Sequence, residues 1–223
     1  MIARLEGARP FSASRTVLAQ ATLIEGGILW ASGFRVDSVR ALGCAAELRG
    51  RADFERIAVA LYRWYTTSLS QDREGHNEAF MKTIICDDSR YSPTIFLRIL
   101  RAFLQLCLKP LPCEPIPERL LALANELHDP RSWVDIWVRL VGSHLLGRRF
   151  FVSQQGSMGL CPESYEDGDI IVILLGCAVP VLLRPYNGYY ELVGDVYLDG
   201  YMYGKGIDEL EEGKFTLEEF EMR

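Results

Sequence analysis

Histidine is scarce in this chain, with three residues in 223. Cysteine is present (Cys44, Cys86, Cys107, Cys113, Cys161 and Cys177), but no two form a C-x-x-C pair. A tetrahedral metal site therefore has few ligands to draw on, and none is assigned. Most of the cysteines sit inside apolar runs, as Cys107 does between Leu106 and Leu108, and read as buried thiols of a reducing compartment. Long apolar runs are also missing. The longest, Ile170 to Leu175, falls far short of the roughly 20 residues of a membrane span. Met1 to Glu6 lacks the apolar block of a signal peptide. Positive charge is in deficit, with 24 Lys and Arg against 30 Asp and Glu, so binding to nucleic acid by counterion release is excluded. No G-x-S-x-G elbow appears, and no glycine loop opens a phosphate-cradling helix. The expectation is a cytoplasmic protein without cofactor.

What the chain does have is an ordinary globular balance, 49% apolar and 24% charged. Ala21 to Glu25 and Ile28 to Ser32 flank Gly26-Gly27, a pair suited to a tight hairpin. Gly33 then predicts a bulge or bend before Phe34 to Val39. The period changes to helical after Asp53, where Phe54, Ile57, Ala58, Leu61, Tyr62 and Tyr65 share one face. Further helices are predicted from Ser92-Pro93, over Pro117 to Leu127, and from Asp129-Pro130, the last carrying Trp133, Trp137, Leu140, Val141 and His144 on one side. His76 is placed in a solvated loop.

From Arg149 the period is two again. Ile170 to Leu175 is apolar on both faces and reads as a central strand. Asn187-Gly188 marks a hairpin into Tyr189 to Val193. Residues 204–223 hold seven acids against three bases and read as an acidic amphipathic tail anchored by Leu210, Phe215, Leu217 and Phe220. The fold class is α+β, a single domain over 1–223. It comprises an N-terminal β-hairpin, a central insert of about four helices (52–147), a C-terminal antiparallel curled sheet or small barrel (148–203), and the tail.

Several phrases in fixed order carry a resemblance: Gly147 to Phe151, Met158-Gly159-Leu160, Gly168-Asp169-Ile170, Leu175 to Pro180, Leu182 to Pro185 and Tyr190 to Gly194. Together they resemble the C-terminal region of fungal heterokaryon-incompatibility (HET-domain) proteins. Gly33 to Val39 and Glu78 to Ile84 are weaker echoes. The resemblance implies the fold and a fungal origin. It carries no catalytic motif, and the region is expected to stand without the HET domain that normally precedes it. The family often writes Tyr-Val-His-Gly-Ile-Met-Asp-Gly-Glu after its last common strand. Here Asp199, Tyr201, Tyr203 and Lys205 replace the histidine, isoleucine, aspartate and glutamate.

That altered segment concentrates the available chemistry. Tyr186, Tyr189, Tyr190, Tyr197, Tyr201 and Tyr203 are interspersed with Glu191, Asp195 and Asp199. On a strand, Tyr197, Asp199, Tyr201 and Tyr203 share a face, either lining a pocket or simply covering a sheet. Two functional readings follow. The first is a cofactor-independent, pericyclase-like enzyme of specialised metabolism that cyclises or isomerises a small apolar, polyunsaturated substrate. Asp199, Tyr201 and Tyr203 are then catalytic, while Tyr197, Tyr190, His144 and Trp137 bind substrate. The second is a non-catalytic binding or scaffold module with a protein partner, which requires an exposed apolar patch rather than a closed cavity.

Overall fold

The computed structural model describes residues 10–24, 26–45, 54–68, 76–87, 144–145 and 147–223. The elements are β1 (Ala21–Ile24), β2 (Ile28–Ala45), α1 (Phe54–Ser68), α2 (His76–Ile84), β3 (Arg148–Ser153), β4 (Met158–Pro162), β5 (Ile170–Leu174), β6 (Val181–Tyr186), β7 (Tyr189–Asp195), β8 (Tyr197–Leu198), α3 (Lys205–Glu211) and β9 (Glu218–Met222). The α+β class holds. The helices predicted from Ser92, Pro117 and Asp129 lie outside the described residues. Inside the expected insert stand α1, α2 and the helical pair His144 and Leu145.

The long strand β2 organises the sheet by changing partners along its length. Leu29–Gly33 pairs β9, Gly33–Ser38 pairs β5, and Val39–Ala45 pairs β3, all antiparallel. Register shifts at Arg35/Asp37, Val39/Ala41 and Leu42/Ala45 bend the strand as the partners change. Sequential hairpins join β5, β6 and β7, and β7 meets β9 in a short parallel contact, Tyr190 with Met222. Strands β2, β5, β6, β7 and β9 thus close a ring, from which β3, β4 and β8 continue as a second sheet.

Gly33 does not interrupt β2, as the sequence had suggested. It is where β5 and β9 both press on the strand, and a Cβ there would lie 2.6 Å from the Ile173 carbonyl oxygen. The residue is glycine for closeness of backbones rather than for a bend. The Asn187-Gly188 turn forms as expected, linking the paired Tyr186 and Tyr189 with φ of 46° and 90°, the double left-handed conformation of a type I′ turn. Gly26 and Gly27 also have positive φ, 94° and 81°, but Ile24 pairs Ile28, so the connection is three residues long rather than the expected two.

Burial follows this layering. Val172, Leu174, Val181, Leu183, Phe220, Met222 and Ala31 fill the ring. Alternate residues of the same strands, Ile171, Ile173 and Leu182, point outward to meet Phe34, Phe151, Cys161 and Leu198. The opposite face of the second sheet takes the helices, with Leu61, Trp64, Phe80 and Met81 against Phe150, Val152, Met158 and Leu160. Trp64 stacks on Phe150 at 6.0 Å, and its indole donates to the Cys44 carbonyl at 2.7 Å. Burial pushes the Cys161 thiol up to about 12, so it acts as an apolar filler.

Two further expectations are corrected. The acidic tail contributes α3 and then β9, a strand inserted between β2 and β7, because Phe220 and Met222 face the ring while Glu219 and Glu221 alternate to the other face. Of its predicted anchors, Phe220 is buried and Leu217 is exposed. His76 opens α2 rather than a solvated loop. Its Nε2 lies 3.0 Å from the Ser68 hydroxyl at the end of α1.

Candidate functional site

The tyrosine-rich segment after β7 does not form one continuous strand. Only Tyr197 and Leu198 are extended, pairing β4. The Leu198 carbonyl then accepts the Tyr201 amide at 3.0 Å, turning the chain. The expected common face of Tyr197, Asp199, Tyr201 and Tyr203 is therefore not made. Tyr197 packs on the helical side beside Phe150 and Met158, while Tyr201 packs on the ring side with Phe34 and Ile173. Tyr203 lies partly buried against Phe11, ring centroids 5.9 Å apart.

Their hydroxyls differ as well. The Tyr201 hydroxyl donates to Glu209 of α3 at 2.8 Å, and Lys205 sits 4.4 Å above its ring. Burial, then the Glu209 hydrogen bond, hold the Tyr201 phenol protonated well above its usual range. Tyr197 is 1% exposed, and its hydroxyl lies 3.5 Å from the Asp199 carboxylate, at the long limit for a hydrogen bond. Burial raises it too, helped by the fields of Asp199 and Asp87. Both phenols are thus donors or apolar walls at neutral pH, never bases.

The remaining predicted site residues are dispersed. Tyr190 lies on β7 with its ring 5.3 Å from Phe220, and its hydroxyl accepts from Arg35 at 2.8 Å. His144 is buried next to Leu145, whose side chain joins the helical core. Trp137 lies outside the described residues. The structure brings Tyr197, Asp199 and Tyr203 into one electrostatic neighbourhood and adds Lys82, Cys86 and Asp87 from the end of α2. Lys82 is raised chiefly by its hydrogen bond to Glu78, with Asp199 and Asp87 contributing. Sequence reasoning missed these three because His-Asn-Glu at the start of α2 shows no apolar period. Among the described residues, no cluster of histidine, cysteine and carboxylate groups is arranged to hold a metal.

A second feature lies on the surface. All four residues of β1 are exposed, Leu23 at 73%, and Leu18 just before it is 83% exposed. Ile24 and Trp30 add exposed apolar area on the face opposite Leu23. From Leu23 a cross-strand row leads through the half-buried Leu29 to Met222, buried in the ring, and to Tyr190, while Leu192, two residues further along β7, is exposed. Beside it, β9 carries Glu218, paired with Arg35 at 3.2 Å, Glu219, which accepts from Ser32 at 2.5 Å, and Glu221, paired with Arg223. The apolar residues of β1 and β2 thus have a polar border of largely paired charges.

Comparison with known proteins agrees with this architecture. A family model described as the Het-6 beta-barrel domain matches residues 118–217. Heterokaryon incompatibility protein 6, OR allele, of Neurospora crassa is 33% identical over 78 residues, covering 33% of this chain. The chain spans only 12% of that relative's length. No solved structure gives a significant match. The sheet from β3 to β8 thus lies within a region of this chain that is related to the heterokaryon-incompatibility proteins.

Proposed function

We propose that the chain is a non-catalytic recognition module related to heterokaryon-incompatibility proteins, binding a protein partner through the exposed β1–β2 hairpin. The observation that carries the reading is the contrast in exposure between the two candidate features. Tyr197 and Tyr201, which a cyclase would need facing one guest molecule, lie on opposite sides of the second sheet, and the Tyr201 hydroxyl is already given to Glu209. Leu18, Leu23, Ile24 and Trp30 instead stand in solvent without a covering element among the described residues. Exposed apolar side chains on both faces of one hairpin, bordered by polar residues, are what a partner site offers. The kinship with an incompatibility protein fits the same direction, since recognition by a module of a larger protein needs no chemistry of its own.

The test is capture of a partner from fungal extract by the purified chain and by the double variant Leu23→Lys/Leu192→Lys. The reading expects a partner that the wild-type chain retains and the variant loses, with unfolding curves of the two superimposed. A partner held equally by both removes the hairpin from the proposal. Conversion of linear polyene precursors by the wild type, lost in Tyr201→Phe, would replace the reading with the cyclase.

A further inference from the structure

The ladder between β1 and β2 fixes which backbone groups of β1 are spoken for. The Ser32 amide donates to the Gln20 carbonyl at 2.9 Å, so residues 20 and 32 are a hydrogen-bonded pair. Bonded and non-bonded pairs alternate in an antiparallel ladder, so Thr22–Trp30 and Ile24–Ile28 are bonded pairs as well. The N–H and C=O groups of Ala21 and Leu23 therefore point away from β2. Among the described residues, β1 pairs with no other strand. Natural sheets blunt such edges with lysine, proline, bulges or a covering element. Ala21-Thr22-Leu23-Ile24 has no charge and no proline, its register with β2 is regular, and both of its faces are exposed.

We propose that this edge receives an extended segment of a partner protein by strand addition, the segment alternating apolar side chains and carrying basic rather than acidic flanks. The proposal rests on the recognition reading above and names its chemistry. Charge points to the flanks: the chain carries a net −6, so basic flanks are drawn to it and acidic ones repelled. Size points to a segment rather than a second copy. Four residues span about 13 Å, and two copies meeting across that edge alone bury far less than the roughly 1,200 Å² of a stable interface. A single added strand needs no more than the edge supplies, with its main chain bonding Ala21 and Leu23 and its side chains lying beside Leu23 on one face and Thr22 and Ile24 on the other.

The probe is a fluorescent peptide of six alternating valine and threonine residues with a lysine at each end, titrated against the purified full chain by anisotropy. Saturable binding is expected, weakened at least roughly tenfold when the alternate peptide amides are N-methylated, the size of one or two lost backbone hydrogen bonds. Leu23→Pro removes an outward N–H without touching the β2 ladder and should do the same. Should Leu23→Pro misfold by circular dichroism, the N-methylated peptide still decides. Glutamate flanks should weaken binding, and binding indifferent to flank charge overturns the basic preference. Absence of binding by the lysine-flanked peptide, or binding that ignores N-methylation, overturns strand addition, while a partner captured in a hairpin-dependent way keeps the recognition reading alive. A dimer by light scattering that Leu23→Pro dissolves makes the occupant a second copy and also overturns it.

Discussion

β1 and β5 lie end to end along the same edge of β2, since each stands opposite β9 across that strand. Their fates are opposite. β5 pairs β2 on one edge and β6 on the other, and it is buried on both faces. Among the described residues, β1 pairs β2 alone, and it is exposed throughout. Both carry leucine and isoleucine, so composition does not separate them. What does is the second neighbour: a strand held on two edges has its faces brought against other layers, and a strand held on one edge keeps its side chains and half its backbone groups for something else.

Proline is the sharpest way to break that comparison. Val172→Pro should abolish cooperative unfolding, because a central strand loses a ladder bond and its geometry. Leu23→Pro, on the same edge of β2, should cost less than about 1 kcal/mol, since its N–H faces outward. Truncation comes next. Ile173→Ala is expected to destabilise by about 2–5 kcal/mol in urea unfolding, and Leu23→Ala to stay within about 0.5. Equal losses would mean that β1 is covered.

The tie between β5 and β6 can be loosened more gently. Asp169, wholly buried just before β5, accepts from the Arg184 Nε of β6 at 2.8 Å, and Arg184 also reaches Glu166 and the Ser164 carbonyl. Arg184→Leu should cost about 2–3 kcal/mol, below the 3–5 of a fully buried pair because the guanidinium is partly solvated. The smallest effect is one of pH. Tyr165, Tyr197 and Tyr201 are all raised, first by burial, Tyr165 to about 12. The folded state holds these protons more tightly than the unfolded chain, whose tyrosines ionise near pH ~10. This contribution to stability is therefore complete below pH ~10 and is lost as the pH climbs towards 12. Phenolate absorbance should show these three titrating late, and Tyr165→Phe should flatten the alkaline fall in melting temperature.

Much of the ring was legible in the sequence. Gly26-Gly27 and Asn187-Gly188 announced their turns, and the unbroken Ile170 to Leu175 announced a strand buried on both faces. β9 was not legible, because Glu-Glu-Phe-Glu-Met reads as solvated charge until Phe220 and Met222 are seen to share the ring interior. α2 was hidden for a similar reason, its apolar contacts falling late, at Phe80, Met81 and Ile84. The candidate site was misjudged at one point. Period-two reasoning holds only while the strand lasts, and β8 ends after two residues, sending Tyr197 and Tyr201 to different layers. The exposed hairpin was visible as a hairpin but not as a surface, since exposure depends on which strands come later to lie beside it.

Because β9 is wedged between β2 and β7, the barrel wall has a missing stave until residue 222 has left the ribosome. During synthesis every earlier strand must wait with the Phe220 and Met222 slots vacant and the lumen open to water. Closure of this domain is thus a late, long-range event, and the nascent chain's exposure to chaperones is set by where in the sequence its final stave is encoded.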